Sequence, residues 1–294
     1  MVVRKGIILV AGKATRLQPM TQVFGKPLVP IFDKPMIYYP ISTLITAGIR
    51  DILLVTAPRD TALFQQLLGD GTQFGIRLSY AEQPVAKGIA DAFLIGESFI
   101  NGEPSCLLLG DNFFHSTALP TMFADIQAHE TQGATIFCTH VENPSAYGVA
   151  DFDAQGKVRK LVEKPDHFIS HNAVTGLYFY DSTACMVAKK LTPSARGELE
   201  ITDLNIQYLQ QGRLQAKALP EDTYWKDLGT PDTMLAAAQF VQKTQTETGL
   251  KIGCPYTAAF LSGAIDAEKL QTSAAQIENP DYVAYLKNLP AQIN

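Results

Sequence analysis

Four short apolar runs, each separated from the next by a stretch of helical spacing, occupy the first 110 residues of the chain. Lys5–Val10, Asp51–Thr56, Arg77–Glu82 and Ser105–Leu109 read as strands, and residues 35–47, 61–68 and 89–99 read as helices. Pro35 sits near the start of the first helix and Gly48 stops it. A strand–helix repeat of this kind implies right-handed crossovers and a mostly parallel sheet. Ligands of such sheets bind beyond the carboxyl ends of the strands. The loops after Val10, Glu82 and Leu109 are where chemistry is expected.

Beyond residue 110 the character changes. Residues 119–129 and 182–190 read as helices, and 134–140, 149–152, 158–162 and 173–180 as short strands, with a hairpin turn at Asp153-Ala-Gln-Gly156. From Thr233 the chain is mainly helical. With no linker or low-complexity stretch, this is one α/β domain over 1–240, with a β-rich insertion at about 115–230 and a helical C-terminal appendage over 241–294.

The balance of 24 basic and 29 acidic side chains, with no basic block, argues against a sequence-independent nucleic-acid binder. An anionic ligand must then be held by a few placed cations. No apolar run approaches the ~20 residues of a membrane span. The four cysteines are far apart and form no CxxC pair, as expected of reduced thiols in a cytoplasmic protein. Five scattered histidines without metal-ligand spacing argue against zinc.

Five places can carry chemistry. The loop Val10-Ala-Gly-Lys-Ala-Thr-Arg-Leu17 follows a strand, and its small residues allow backbone N–H groups to approach a phosphate. Arg16 can grip phosphate oxygens through two N–H groups, yet an ordinary turn with solvated charges fits the loop equally well. Neither GxGxxG nor a Walker P-loop is present. Lys26 stands in a stiff, proline-rich segment, Gly25-Lys-Pro-Leu-Val-Pro30, and can converge with Arg16 on one polyphosphate. Asp111 follows an apolar strand, a suitable place for Mg²⁺, which takes one or two carboxylates plus substrate phosphates. Asp227, in Trp225-Lys-Asp-Leu-Gly-Thr230, offers a second carboxylate, and Glu163 and Lys164 lie side by side at a strand end.

The order of these signals resembles the sugar nucleotidyltransferases, and within them the bacterial glucose-1-phosphate thymidylyltransferases, over essentially the whole chain. The most specific matches are Asp33-Lys-Pro-Met-Ile-Tyr-Tyr-Pro40, Phe64-Gln-Gln-Leu-Leu-Gly-Asp-Gly71, Gly110-Asp-Asn112, Val174-Thr-Gly-Leu-Tyr-Phe-Tyr-Asp181 and Ala195-Arg-Gly-Glu-Leu-Glu-Ile-Thr-Asp203. The resemblance implies a Rossmann-like nucleotidyltransferase fold, a homotetramer, and transfer of a thymidylyl group from dTTP to glucose 1-phosphate with release of pyrophosphate. It also implies roles. Arg16 and Lys26 act on the triphosphate. Leu9, Ala11, Gly12, Lys13, Ala14 and Thr15 surround the nucleotide, with Gln83 and Gly88 at the base. Asp111 and Asp227 bind Mg²⁺. Glu163 binds sugar hydroxyls, Lys164 holds the sugar phosphate, and Asn112, Tyr147, Gly148 and Thr175 line the sugar pocket.

The chain departs from the family pattern at two places. Its leader, Leu9-Val-Ala-Gly-Lys-Ala-Thr-Arg-Leu17, has Ala11 and Ala14 where the family has glycine, and Lys87 replaces an acidic residue in the base loop. An alanine at a site needing φ > 0 costs about 1–2 kcal/mol. The second place is a separate nucleotide-sugar site of many family members. Phe114, His115, Glu221, Thr257 and Leu261 stand at its positions here, so two cations are lost and one is replaced by an acid. The altered leader also admits a non-catalytic, sugar-nucleotide-binding paralogue. The retained Arg16, Lys26, Asp111, Lys164 and Asp227 favour catalysis. Gln83 pairs with thymine or uracil alike.

Overall fold

The computed structural model describes residues 2–128 and 132–293. A nine-stranded sheet forms its centre. Ser105–Leu109, Lys5–Val10, Asp51–Thr56 and Arg77–Glu82 lie side by side and parallel, with Lys5 level with Ser105 on one side and Asp51 on the other. These are the four runs seen in the sequence. The inner ones are apolar almost continuously because helices cover both faces of the sheet.

Past Ser105–Leu109 the sheet becomes antiparallel. Asn172–Tyr180 pairs with that strand and also with Ala134–His140, while Gly148–Phe152 and Val158–Glu163 extend the edge. Leu214–Ala218 adds to Ala134–His140 in parallel. The β-rich stretch thus continues the first sheet.

Some boundaries differ from the sequence reading, for local reasons. The helix expected over 35–47 begins at Tyr38 and ends at Thr46. Lys34–Pro35 instead pairs with Pro30–Ile31 in a small hairpin, because the residue before a proline disfavours helical backbone. The helix expected over 89–99 is two short pieces, Asp91–Ile95 and Glu97–Ile100, parted at Gly96. The 182–190 helix is confined to Ala184–Ala188. The helix expected over 119–129 is found as Leu119–Ala128, and His129 lies outside the described residues. The helix Ile201–Gln210 went unread in the sequence, as did the strand Leu214–Ala218.

A two-stranded element that the sequence pattern does not reveal matters most. Asn112–His115 and Tyr224–Asp227 form a two-stranded antiparallel ribbon in which Asp227 lies opposite Asn112. The Leu228 N–H then donates to the Asp111 carbonyl at 2.9 Å. This register brings the two candidate metal carboxylates to one point.

The C-terminal helices share the main core. Helix Pro231–Thr248 starts with reciprocal Thr230–Thr233 capping and ends at Gly249 with φ 72°. Pro255–Leu261, Ala267–Ala274 and Pro280–Ile293 follow. Ala259, Leu270, Leu286 and Leu289 are fully buried in the same cluster as Ile8, Ile41 and Leu54. Each buried leucine contributes roughly 1.5–3 kcal/mol. The Tyr282 hydroxyl sits 2.9 Å from Cys254 Sγ and that of Tyr285 2.8 Å from Thr257 Oγ1, pinning the last helix. All four cysteines are buried and free. No helix among the described residues is long and apolar enough to cross a membrane.

Candidate active site

Two cavities open beyond the carboxyl ends of the parallel strands, and Ile89 and Leu109 belong to the walls of both. The first, about 200 Å³, is lined by Leu9, Val10, Gly12, Ala14, Lys26, Pro27 and Asp111. Lys13, Thr15 and Arg16 lie exposed on the adjoining leader. Ala11 is buried and does not line the cavity.

Ala14 adopts left-handed backbone, φ 49° and ψ 39°, just before the single 3-10 turn Thr15–Leu17. Its carbonyl accepts from Thr21 Oγ1 at 2.8 Å, which anchors the turn. One of the two alanine-for-glycine changes therefore falls on a strained backbone. Ala11 does not have positive φ.

Lys26 opens another 3-10 turn, Lys26–Leu28, with Pro27 inside it. The preceding Gly25 N–H donates to the buried Asp60 carboxylate at 2.9 Å, so the loop is held from below. The Lys26 ammonium forms an ion pair with Asp111 Oδ2. Burial works to raise the Asp111 pKa, but the Lys26 charge and hydrogen bonds from Lys26 and Asn112 outweigh it and hold the carboxyl below its usual range. Asp227 behaves oppositely. Burial and the Asp111 charge push it up to about 6, against the pull of Lys26 and Arg16. Its Oδ1 is buried and accepts no hydrogen bond. Gly229 leaves room beside it: a Cβ there would stand 2.6 Å from an Arg16 guanidinium nitrogen and 2.8 Å from Asp227 Oδ1.

The second cavity, about 120 Å³, is lined by Asn112, Tyr147, Gly148, Glu163, Lys164, Thr202, Trp225 and Asp227 among others. Glu163 lies opposite Gly148 in the strand pair, and its Oε2 accepts from Thr202 Oγ1 at 2.6 Å. Lys164 is held at φ 42°, with its N–H donating to the Tyr147 carbonyl at 3.0 Å. Tyr147 meets Trp225 edge-on, ring centres 5.3 Å apart.

Two sugar-side assignments read differently in three dimensions. Asn112 is 3% exposed, and its Oδ1 accepts from Gly176 N at 3.0 Å and Trp225 Nε1 at 2.8 Å. It braces the wall as well as lining it. Thr175 is completely buried, does not line the cavity, and its hydroxyl has no hydrogen-bond partner. The alternation of strand side chains turns it away while Val174 and Gly176 face in.

On the base loop, Gly88 is required by shape: with φ +100°, a Cβ would come within 2.4 Å of the Leu199 carbonyl oxygen. Lys87 O accepts from Leu199 N at 2.6 Å, and Ala90 N donates back to Leu199 O at 3.0 Å. Gln83 is 4% exposed at the start of this loop. Three site residues carry no role in the sequence analysis: Trp225 and Thr202, which line the second cavity, and Arg196, whose guanidinium lies 3.6 Å from Glu163; the last two fall within the matched segment 195–203. The only tryptophan, two residues before Asp227, is the signal for the first.

Phe114, His115, Thr257 and Leu261 share a third cavity, about 270 Å³, with mostly apolar walls. Lys251 lines it too, but its ammonium is engaged with Asp33 at 2.9 Å.

Residues 5–244 match the nucleotidyl transferase family. Glucose-1-phosphate thymidylyltransferase of Xanthomonas campestris pv. campestris (strain B100) is 51% identical over 286 residues, 97% of each chain. The protein of that name from Mycolicibacterium smegmatis (strain ATCC 700084 / mc(2)155) is 47% identical, covering 97% of this chain and 98% of its own. Among solved structures, a putative glucose-1-phosphate thymidylyltransferase from Bacillus anthracis in complex with a sucrose superposes with TM-score 0.74 at 36% identity, over 80% of this chain and 94% of that one. UDP-glucose pyrophosphorylase complexed with UDP-glucose gives TM-score 0.69 at 25% identity, over 82% and 99%. With the family model matching residues 5–244 and a relative 51% identical over 97% of both chains, the chain belongs to the nucleotidyl transferase family.

Proposed function

We propose that this chain transfers a thymidylyl group from dTTP to glucose 1-phosphate, giving dTDP-glucose and pyrophosphate. The observation that carries this reading is a pair of cavities that share Ile89 and Leu109, with Lys26 and Asp111 lining one, Lys164 and Asp227 lining the other, and the Arg16 guanidinium close to Asp227. The relatives' names supply the substrates.

A sugar-phosphate oxygen attacks the α-phosphorus, and the bond from that phosphorus to the oxygen bridging the α- and β-phosphates breaks as pyrophosphate leaves. Such transfer depends on alignment and charge neutralisation more than on proton transfer. Lys164 holds the incoming phosphate, and Glu163 and Tyr147 orient the sugar. Arg16 takes the charge that grows on pyrophosphate, and Lys26 faces the α-phosphate. The buried, unpartnered Asp227 Oδ1 beside Asp111 suits a hard cation with oxygen ligands. These two carboxylates would hold Mg²⁺, which when bound supplies positive charge against the phosphates. We read the site as cytoplasmic and the assembly as a homotetramer, the latter checked by light scattering.

A pyrophosphate-release assay over the common nucleoside triphosphates and several sugar 1-phosphates tests the reading. Turnover with dTTP and glucose 1-phosphate is expected. Tight sugar-nucleotide binding without any turnover would establish the non-catalytic alternative instead.

A further inference from the structure

Gln83 is held by its backbone and by one end of its side-chain amide. Its backbone N–H donates to Thr56 O at 2.8 Å, continuing the ladder of the strand Arg77–Glu82. Its Nε2 donates to Asp91 Oδ2 at 2.8 Å and more weakly to Gly88 O at 3.4 Å. Asp91 is itself 8% exposed, so this is a contact between two buried side chains.

A carboxylate oxygen and a backbone carbonyl accept hydrogen bonds and donate none. With the Gln83 amide reversed, its carbonyl would face two acceptors, and the Asp91 carboxylate oxygen and the Gly88 carbonyl would both lose this donor. The chemistry of Asp91 therefore decides which end of the amide points outward. That end is Oε1. It accepts nothing from any described residue, and it is not sealed in the interior. The loop between Gln83 and Asp91, which opens the next helix, is stapled to Leu199 and includes Ile89, part of the wall shared by the two cavities.

We propose that Asp91 is a positioning residue for base selection: it locks Gln83 with the carbonyl outward, so the site accepts a pyrimidine that carries N3–H and rejects cytosine, whose N3 is an acceptor. The inference deepens the proposed function and rests on it, since it needs the base to sit against Gln83. A site built to receive a substrate N–H discriminates strongly against analogues without it, because its own buried group is left unpaired.

Two measurements test it. The first uses the unaltered protein and compares equilibrium binding of dTTP, dCTP and N3-methylthymidine triphosphate. Both analogues are expected to bind about 100-fold or more weakly. The second measures pyrophosphate release with dTTP and dCTP for Asp91→Asn and Asp91→Ala. The asparagine is isosteric and can either accept from Nε2 or donate to Oε1, so Gln83 is free to turn over. The dTTP:dCTP ratio of kcat/KM should fall at least about tenfold, through a raised KM for dTTP with kcat little changed. A residue that only braced the loop would lower kcat for both nucleotides alike. Equal binding of thymidine and N3-methylthymidine nucleotides by the unaltered protein overturns the inference, and so does an unchanged ratio in both folded variants. If the unaltered protein releases pyrophosphate from no nucleoside triphosphate, the proposed function fails, and this inference fails with it. If it uses dTTP and only the ratio is unmoved, the function stands and Asp91 loses its role.

Discussion

Lys26 reaches across 85 positions of sequence to form an ion pair with Asp111 at the junction of the two cavities. Asp227, the neighbouring carboxylate, keeps a buried oxygen without a hydrogen bond. One acid is thus held ionised below its usual range, while burial and its neighbour's charge raise the other to about 6. Two carboxylates in one site have been given different environments, and their substitutions should differ accordingly.

Asp227→Asn and Asp111→Asn should each abolish most turnover while moving stability in opposite directions. In chelator at neutral pH, Asp227→Asn should raise stability by about 1–3 kcal/mol, because it removes a penalised buried charge. The sign follows from a folded pKa of about 6 above the ordinary 3.8. Both states are ionised above pH 6, so the wild-type penalty is then complete. It fades as the folded carboxyl takes up a proton between about pH 6 and 4, and the mutant's advantage fades with it. Asp111→Asn leaves the Lys26 ammonium without its carboxylate and should cost roughly 1–3 kcal/mol. Chemical denaturation at pH 7.5 and pH 4.5 reads both effects. Near-normal turnover in either variant would remove these residues from the metal site.

The leader contains its own control. Ala14→Gly relieves left-handed backbone, worth about 1–2 kcal/mol, against a glycine entropy cost of about 0.5–1 kcal/mol, so it should be neutral or slightly stabilising. Ala11→Gly has no such strain to relieve and removes a buried methyl group. It should destabilise by about 0.4–1 kcal/mol or more. Thermal melting of the two single variants decides it, and equal losses would mean that the φ at Ala14 carries no strain.

Arg16 reaches from the exposed leader toward Asp227, and Lys164 lines the smaller cavity from the end of another strand. Lys164→Ala should raise KM for glucose 1-phosphate, and Arg16→Ala should mainly impair use of dTTP. Loss of an ion-paired contact of this kind costs about 2–5 kcal/mol, tenfold or more in kcat/KM. Identical defects toward both substrates would show that the two cations do not divide the labour.

The third cavity should not bind a nucleotide sugar tightly. A diphosphate needs cations or several aligned N–H donors. Here the wall presents Phe114, Leu119, Ala258 and Leu261, and Lys251 is tied to Asp33. Burial keeps the His115 pKa down despite the nearby Asp222 charge, so its ring is a poor phosphate cation at neutral pH. Calorimetric titration with dTDP-rhamnose, with the active site blocked by a competing nucleotide, should show no second saturable event of micromolar affinity.

The parallel half of the molecule was legible in the sequence because it rests on local rules. Apolar runs such as Asp51–Thr56 declare a strand buried on both faces, and the helix between two parallel strands leaves one handedness open. The position of Asp111 just past a strand end follows from the same pattern. What only the tertiary structure decided is the pairing of Asn112–His115 with Tyr224–Asp227. Each strand has four residues, too few for a period-two pattern to stand out, and Asn112 and Trp225 are 113 positions apart. Their register is specified by side chains meeting across that distance: Trp225 donating to Asn112, and Tyr224 stacked at 3.8 Å on Phe240. The facing of Thr175 away from the cavity and the outward turn of the Gln83 carbonyl belong to the same class. Strand direction and residue type are carried by neighbours in the chain, whereas the end of a side chain that meets a ligand is set by a distant polar group that must find its hydrogen-bond partner.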